Sequence, residues 1–468
     1  MKVLVCGANG FVGNAMALRL EQDGHEVVRG VRRPGHGNGV APSPSGGGQG
    51  WGPAAVQLVT AGGPHPCLPP AGEGVKQPAP FPDTPHAKEV AIDYTTDLNA
   101  DLWLDKLDGV DAVVNAVGIL IERGAQTFEH VHTQAPMALF EACRMRGVQH
   151  VIQISALGAE SRETPYFASK HAADEFLLAQ PLRAHVLRPS LVYGAHGASA
   201  RMFRILASLP LHVLPAGGRQ PLQPVHIDDL AECVARLLGP AAASPPCLNV
   251  AGSTPVSYRQ MLGIYRRSMG LAPAFTVGIP AWIMRCAAAA GGLIPGAPLT
   301  PDTWRMLQRG NTADVQPLAD ILGRAPQGIE SFIARQAAPA PRAEALDAWQ
   351  GLTLRIALAI VWIASALISA ALYPRAQSLA LLGRLNLQGM AADAALYGAC
   401  ALDFGLGLAT LLKPGRRLWL AQMALILIYS ALIAVALPEF LLEPFGPILK
   451  NLPILAILIV LFSQETRS

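Results

Sequence analysis

The sequence contains few charged residues and no paired-cysteine or metal-ligand spacing. Asp, Glu, Lys and Arg make up 15% of its 468 residues, and the formal net charge is only +3. A charge balance this close to neutral excludes the basic field typical of nucleic-acid-binding proteins, so we expect no nucleic-acid partner. The seven cysteines are dispersed, which favours reduced thiols in a cytoplasmic setting over a disulfide framework. A strand-like run begins at once after Met1, so we expect no signal peptide ahead of it.

Apolar residues, in contrast, are in excess: the hydrophobic content is 51% and the mean hydropathy is +0.32. The excess lies in four apolar stretches, at 356–373, 395–412, 418–437 and about 452–462. The first three approach the length of about 20 residues that spans a bilayer. The pattern predicts an all-α transmembrane domain of about four helices over 351–468.

The loops between these stretches predict an orientation. Residues 413–417 (KPGRR) are strongly basic, and the positive-inside rule places such a loop in the cytoplasm. With four helices, both termini then face the cytoplasm, and we expect a multi-pass protein of the inner (cytoplasmic) membrane. Arg375 and Arg384, in the first outer loop, weakly oppose this orientation. Asp403 lies inside the second stretch, where a carboxylate indicates either a functional site or a structural partner on a neighbouring helix.

At the N-terminal end, the apolar run Lys2–Cys6 leads into a glycine-rich turn and then into a helical pattern over 14–22. A strand, a glycine turn and a helix in this order form a phosphate-binding device. The glycines let the backbone approach a pyrophosphate, and the helix N-terminus offers unpaired N–H groups to it. We therefore predict that the turn binds a dinucleotide, with contacts from Gly7, Asn9, Gly10, Phe11, Val12 and Gly13.

Strand and helix patterns alternate beyond this turn. Strands are predicted at 25–31, 89–93, 110–117, 150–155 and 184–188, and helices at 127–146 and 169–178. The alternation predicts an α/β fold with a doubly wound parallel sheet. A low-complexity stretch at 34–88 interrupts it and is expected to form a disordered or loosely packed surface insert. We expect a nucleotide-binding domain over 1–335, to which 190–335 contributes a substrate lobe, and an Ala/Pro linker over 336–350.

The end of the second predicted strand indicates which nucleotide is bound. An NAD site usually has an acidic residue there, but this strand ends in Arg32 and Arg33. Two guanidinium groups suit a 2′-phosphate, which favours NADP(H) over NAD(H). The alternative is that both arginines are solvated surface charges. Asp93 closes the third strand and is predicted to accept a hydrogen bond from the adenine amino group or to cap a turn.

The candidate catalytic residues are Tyr166 and Lys170, which share one helix face at i and i+4. The lysine ammonium is expected to lower the pKa of the phenol and to hold the nicotinamide ribose. The tyrosine then gives or takes a proton at a carbonyl or carbinol oxygen. Ser155 is the candidate third member, with Thr164 as a fallback, and the absence of a catalytic hydroxyl is the alternative.

These motifs together resemble a known group of enzymes. GANGFVG (7–13), ISALGA (154–159), YFASK (166–170), LRPSLVYG (187–194) and QPVHIDDLA (223–231) look like the atypical short-chain dehydrogenases/reductases, a group that includes the nucleotide-binding accessory subunit of respiratory complex I. The resemblance implies a Rossmann-type domain whose Tyr166 and Lys170 are catalytic. It also implies cofactor contacts at the end of the fourth strand and after the sixth, from Asn115, Ala116, Val117, Gly118 and Pro189. Alternatively, the residues at 115–118 simply form a tight turn.

The HIDD segment and the C-terminal part of the chain give two further predictions. Asp228, in the HIDD segment, is predicted to be the N-cap of a helix that begins near Leu230, with His226 in a structural role. The C-terminal part resembles a DoxX-like membrane domain, through its four apolar stretches and residues 444–453.

These observations leave two classes of function. The first is a membrane-anchored NADP(H)-dependent oxidoreductase or epimerase that acts on a lipid- or quinone-like small molecule. The second is a non-catalytic NADP(H)-binding module in the assembly or redox sensing of a membrane complex, with an oligomeric or complex partner. A third hypothesis makes the DoxX-like part the redox partner, with electrons passing toward quinone.

Overall fold

The computed structural model describes residues 1–32, 88–239, 244–294, 297, 299–441 and 449–465. The predicted insert lies outside these residues except for Lys88, and Arg33 lies outside them too. The chain divides into two compact units, Met1–Ala343 and Glu344–Ser468.

The first unit is built on a parallel sheet. Its strands are β1 (Lys2–Cys6), β2 (Glu26–Val31), β3 (Lys88–Ala91), β4 (Ala112–Asn115), β5 (His150–Ile154), β6 (Arg183–Pro189), β7 (Val192–Tyr193), β8 (Leu211–Pro215), β9 (Pro221–Leu222), β10 (Val225–His226), β11 (Cys247–Val250), β12 (Val256–Ser257) and β13 (Phe275–Ile279). Seven of them form one sheet in the order β11-β6-β5-β4-β1-β2-β3. The strand order reverses at β1, as in a doubly wound Rossmann sheet. The predicted fold class is confirmed.

Helices cover both faces of this sheet. The helices of the first unit are α1 (Phe11–Gln22), α2 (Asp101–Leu104), α3 (Ala135–Arg146), α4 (Pro165–Leu178), α5 (Ala198–Ser208), α6 (Ile227–Leu238), α7 (Tyr258–Ser268), α8 (Ala281–Gly291), α9 (Pro301–Arg309) and α10 (Gln316–Leu322). A π-helical turn, Glu129–Gln134, leads into α3.

The first strand shows why the sheet needs a helical layer on each side. Val3 and Val5 belong to the core layer that includes α1 and α6. Leu4 and Cys6 belong to the opposite layer, which includes α3. All four side chains are fully buried. Strands buried on both faces read as continuous apolar runs, and this is the pattern of Lys2–Cys6 in the sequence.

Two helix starts differ from the prediction. Helix α4 begins at Pro165 because Thr164 caps it, accepting a hydrogen bond from the Phe167 amide, so Tyr166 lies in its first turn. Helix α6 begins at Ile227, and its N-cap is His226, whose ring accepts a hydrogen bond from the Asp228 amide. The prediction of Asp228 as the cap is therefore wrong. The reason is that the backbone turns helical one residue after His226, which leaves Asp228 inside the first turn.

The second unit is helical. Its elements are α11 (Pro339–Leu367, which starts in the first unit), α12 (Arg375–Gly383), α13 (Met390–Leu412), α14 (Arg416–Ala436) and α15 (Asn451–Gln464). Most of the segment predicted as a linker, 336–350, is thus helical. Three of the helices in the described residues are long and apolar enough to cross a membrane. They are α13, α14 and the span Pro339–Leu372, which consists of α11 and the π-helical turn that extends it. The fourth predicted segment corresponds to α15, a shorter apolar helix.

The helices of this unit pack through a glycine and a short polar chain. A Cβ on Gly407 would lie 2.6 Å from Ile363, so only glycine lets α13 approach α11 this closely. Trp362 Nε1 donates to Gln422 Oε1 at 2.9 Å, and Gln422 Nε2 donates to Thr410 Oγ1 at 2.8 Å. Buried polar groups in an apolar bundle must bond to one another in this way.

Candidate functional site

The glycine turn is shaped by close backbone contacts. Gly7 has φ +79°, a conformation that favours glycine. A Cβ on Gly13 would lie 2.2 Å from the carbonyl oxygen of Gly7, so α1 can approach the end of β1 only if residue 13 is glycine. Helix α1 starts with neither a side-chain cap nor an acidic residue in its first turn. Its first N–H groups and its positive dipole end therefore remain suited to a phosphate.

A cleft of about 290 Å³ opens at this turn, above the carboxyl ends of β1, β2 and β4. This is where doubly wound sheets bind their ligands. The predicted cofactor residues on its wall are Gly7, Asn9, Gly10, Arg32, Asp93, Ala116, Val117 and Gly118. Other predicted residues do not line the cleft in the described part of the chain: Phe11, Val12, Gly13, Asn115, Pro189, Tyr166 and Lys170.

Arg32 and Asp93 face each other across one end of the cleft. The Arg32 guanidinium donates to both carboxylate oxygens of Asp93, at 3.2 and 3.3 Å. Asp93 Oδ1 also accepts from the amide and the hydroxyl of Thr95, so it caps the turn that follows β3. Burial alone would raise the pKa of Asp93, but the hydrogen bonds from Thr95 and the charge of Arg32 hold it below its ordinary value.

Asn115 is fully buried beneath the cleft. Its Oδ1 accepts a hydrogen bond from the Tyr94 hydroxyl at 2.7 Å, and its Nδ2 donates to Gln153 Oε1 at 2.7 Å. These bonds fix the end of β4 against its neighbours. The structure thus places Asn115 under the residues of the cleft wall, which follow it at 116–118.

The Lys170 ammonium connects α4 to this wall. It is buried and donates to the carbonyl oxygens of Val117, at 3.3 Å, and Ile154, at 3.2 Å. A Cβ on Gly118 would lie 3.1 Å from Lys170 Nζ, so glycine leaves the space that the ammonium occupies. Burial lowers the pKa of Lys170 to about 8, although the charge of Asp174 opposes this shift.

Tyr166 is half-buried one helical turn before Lys170. The expected lowering of its pKa by Lys170 is wrong for this arrangement. Burial raises the pKa of Tyr166 to about 12, and the negative charge of Asp174 acts in the same direction. The phenol therefore stays protonated at neutral pH and suits a proton donor better than a base.

His132 is a site residue that sequence reasoning missed. Its ring lies edge-on to Tyr166, with the ring centroids 5.4 Å apart. Nε2 accepts the Ile119 amide at 3.0 Å, which assigns the ring proton to Nδ1, where it is donated to Ser169 Oγ at 3.0 Å. Burial and the nearby Lys170 ammonium lower the pKa of His132 to about 2, so the ring is neutral. A lone histidine within a predicted helix gave no signal for this position.

Ser155 is held by a buried carboxylate. Its hydroxyl donates to Asp174 Oδ2 at 2.7 Å, and Arg188 Nε donates to the same oxygen at 3.3 Å. Burial raises the pKa of Asp174, an effect that the Ser155 hydroxyl and the Arg188 charge oppose. The fallback hydroxyl, Thr164, caps α4 and is itself buried.

Two other predicted cofactor residues pack within the domain. The Phe11 ring occupies the space beside Gly194 and Gly197. A Cβ on Gly194 would lie 2.6 Å from this ring, and a Cβ on Gly197 would lie 3.1 Å from it. Pro189 ends β6, and its carbonyl accepts the Leu157 amide at 2.9 Å.

In the second unit, Asp403 lies on α13 one helical turn before Gly407. Its Oδ1 is buried and has no hydrogen-bond partner among the residues that the structure describes. A structural partner for that oxygen is therefore not seen in this part of the chain.

Two family models match the chain. That of the NAD dependent epimerase/dehydratase family matches residues 3–251, more than half of the chain, and that of the DoxX-like family matches residues 359–459. The predicted Rossmann-type nucleotide domain and the predicted DoxX-like domain are both confirmed.

Individual relatives are more distant. Ceramide reductase of Caulobacter vibrioides is 27% identical over 154 residues, which cover 32% of this chain and 48% of that protein. The match thus spans about half the length of that curated relative.

Solved structures share the fold. An NADPH-dependent quinone oxidoreductase of Escherichia coli, complexed with NADPH, has a TM-score of 0.50 at 15% identity and covers 72% of this chain and 99% of its own. A UDP-glucuronic acid 4-epimerase from Bacillus cereus, in complex with UDP-glucuronic acid and NAD, has a TM-score of 0.48 at 16% identity, covering 74% and 99%. At such identities the likeness shows the fold alone.

The nucleotide fold, the glycine turn at its switch point and the family match agree. The chain belongs to the NAD dependent epimerase/dehydratase family through residues 3–251, and residues 359–459 match the DoxX-like family.

Proposed function

We propose that this protein is a membrane-anchored, NADP(H)-dependent oxidoreductase or epimerase that acts on a carbonyl or carbinol group of a lipid- or quinone-like substrate. The observation that carries the proposal is the position of Lys170, whose ammonium contacts the carbonyl of Val117 on the cleft wall while Tyr166 lies one turn away. NADP(H) in the cleft would supply the hydride at its nicotinamide ring. Tyr166 would supply the proton.

Each residue has a defined role in this proposal. Lys170 would hold the nicotinamide ribose with its ammonium. Tyr166, kept protonated by burial, would donate its phenolic proton to the substrate oxygen as hydride arrives at carbon. At neutral pH the phenol carries its proton and can therefore serve as the donor when a carbonyl is reduced. His132 would position the phenol through its edge-on ring contact.

A lipid-like substrate is supported by two observations. The DoxX-like domain and three apolar helices associate the chain with a membrane, where apolar substrates are concentrated. The relative from Caulobacter is named a reductase of ceramide, which is a lipid.

The proposal predicts that Tyr166→Phe strongly reduces turnover but leaves nucleotide binding intact. The full chain, purified with its membrane helices, would be mixed with NADPH and a panel of quinones and keto-lipids, and NADPH oxidation would be followed. Loss of a general acid should reduce kcat by about 10²–10⁴-fold. Tyr258→Phe, which removes a hydroxyl from a different helix, is the control and should keep full activity. No turnover in the wild type, with tight NADPH binding, would overturn the enzyme hypothesis.

Tight NADPH binding without turnover in the wild type would favour the other candidate function, a non-catalytic NADP(H)-binding module of a membrane complex. A specific observation supports it: the Ser155 hydroxyl is committed to the buried Asp174, and Thr164 to the α4 cap. Both hydroxyls are thus engaged by groups of the protein itself.

The preference for NADP(H) rests on Arg32, which lies on the cleft wall at the end of β2. Its guanidinium already binds a carboxylate through two nitrogens, the geometry that a 2′-phosphate also accepts.

Arg32→Ala combined with Arg33→Ala should therefore weaken NADPH binding about ten- to a hundredfold, the effect of losing charge-assisted hydrogen bonds. NADH binding should change far less. Both dissociation constants would be measured by fluorescence titration, with Arg305→Ala, an exposed arginine of α9, as the control. Equal losses for NADPH and NADH would contradict the assignment.

We also propose that the nucleotide domain and the basic loop 413–417 face the cytoplasm of an inner membrane. A cytoplasmic C-terminus, which the four-helix arrangement also predicts, requires α15 to cross the bilayer. Its 14 residues span about 21 Å, less than the hydrocarbon core of about 30 Å.

Reporter fusions test this directly. A reporter placed after Arg417 and another placed after Ser468 should both give a cytoplasmic signal if α15 crosses. A periplasmic signal after Ser468, with a cytoplasmic one after Arg417, would show three crossings and contradict the four-helix arrangement.

A further inference from the structure

The second lobe of the nucleotide unit exposes an apolar surface on a pair of strands. Strands β8 and β13 are parallel and form their own two-stranded sheet. Phe275 is registered with Leu211, and Val277 with Val213, so the four side chains share one face. That face is open: Phe275 is 82% exposed, and the other three are exposed as well. The alternate residues of β8, His212 and Leu214, are buried.

Helix α8 continues this surface directly after β13. It is an Ala-rich apolar helix in which Ala288 alone, among its eleven residues, is fully buried. Trp282 is 61% exposed and Ile283 is also exposed, and the residues that follow the helix, Leu293 and Ile294, are 85% and 62% exposed. We call the exposed residues of β8, β13 and α8, together with Leu293 and Ile294, the lobe surface. Large apolar side chains exposed together on a folded unit indicate an interaction site.

The stretches of chain that include the lobe surface carry positive charge. Residues 176–227 and 233–301 contain ten arginines, five in each stretch, and neither Asp nor Glu. Arg285 is exposed on α8, and Arg219 is exposed in the segment after β8. Arg259 is exposed and donates to Thr276 of β13 at 2.9 Å. The next acid along the chain, Asp302, is paired with Arg305 at 2.9 Å.

We infer that the lobe surface docks on a bilayer that contains anionic lipids. Exposed aromatic and aliphatic side chains among arginines are the chemistry of an interfacial membrane contact. The same chain carries three helices long and apolar enough to cross a membrane, and this favours a bilayer as the partner of the lobe surface. The inference goes beyond the proposed catalytic function, since it holds whether or not the nucleotide site turns over.

The test uses the full chain in lipid nanodiscs and a nitroxide label on Cys286, an exposed cysteine of α8. Cys67→Ser removes a second cysteine. For the control, Met145→Cys carries the label at an exposed position of α3, in a chain that also has Cys286→Ala. Nanodiscs of phosphatidylcholine with about one quarter phosphatidylglycerol would also contain a nickel-chelating lipid, which relaxes only nitroxides close to the headgroups. We expect the nickel lipid to enhance the relaxation of the nitroxide on Cys286 but not that of the nitroxide at the control position.

Two sets of variants separate the contribution of the apolar side chains from that of the positive charge. Phe275→Ser with Trp282→Ser should remove most of the relaxation at Cys286. Arg285→Gln should lower the ratio of docked to free lobe about fivefold, the effect of one arginine at an anionic surface. Retained NADPH binding would show that each variant is folded.

Three results would overturn the inference. Equal relaxation at Cys286 and at the control position would show that the lobe surface does not meet the headgroups. Relaxation that is unchanged in nanodiscs without phosphatidylglycerol would contradict the role of anionic lipid. A label on Cys286 that is immobilised but not relaxed by nickel lipid would show that a second copy, or another part of this chain, covers the surface.

Discussion

The buried ammonium of Lys170 is the contact on which the site depends. A charged amine inside a protein must be compensated, and here the carbonyl oxygens of Val117 and Ile154 do so. These carbonyls follow or end β4 and β5, two adjacent strands, so one side chain fixes α4 against the carboxyl edge of the sheet. The space for it exists because residue 118 is glycine. The same contacts bring Tyr166 toward the nucleotide cleft.

The order of the strands determines where the nucleotide cleft lies. Because the order reverses at β1, the glycine turn after that strand opens into the crevice between β2 and β4. Gly13 lets α1 start against the turn, and Arg32 and Asp93 close the far end of the cleft. In the proposed function, the nucleotide and the proton donor would thus be positioned by different strand ends of a single sheet. Asp174 adds a buried negative charge behind the pair, bound by Ser155 and Arg188.

Local patterns were sufficient to predict much of this. The apolar runs of the sheet, the glycine turn and the i, i+4 pair on α4 are all encoded within a few residues of one another, so the sequence alone predicts them. The start of α6 was missed because the cap is a histidine, whose ring replaces the usual carboxylate or hydroxyl. The partners of Ser155, Asn115 and His132 come from distant segments of the chain. No spacing rule predicts such contacts, which depend on how the helices pack on the sheet.

The claim tested most directly is that the Lys170 ammonium holds the bound nucleotide. Its pKa of about 8 means that the charge is present below that pH and is lost as the pH rises through it. NADPH dissociation constants would be measured from about pH 7 to about pH 9.5 for the wild type, Lys170→Arg and Lys170→Met. We predict that affinity falls above about pH 8 in the wild type, and that neither variant shows this fall, since arginine stays charged and methionine never is. An affinity independent of pH in the wild type, or the same fall in both variants, would contradict the account.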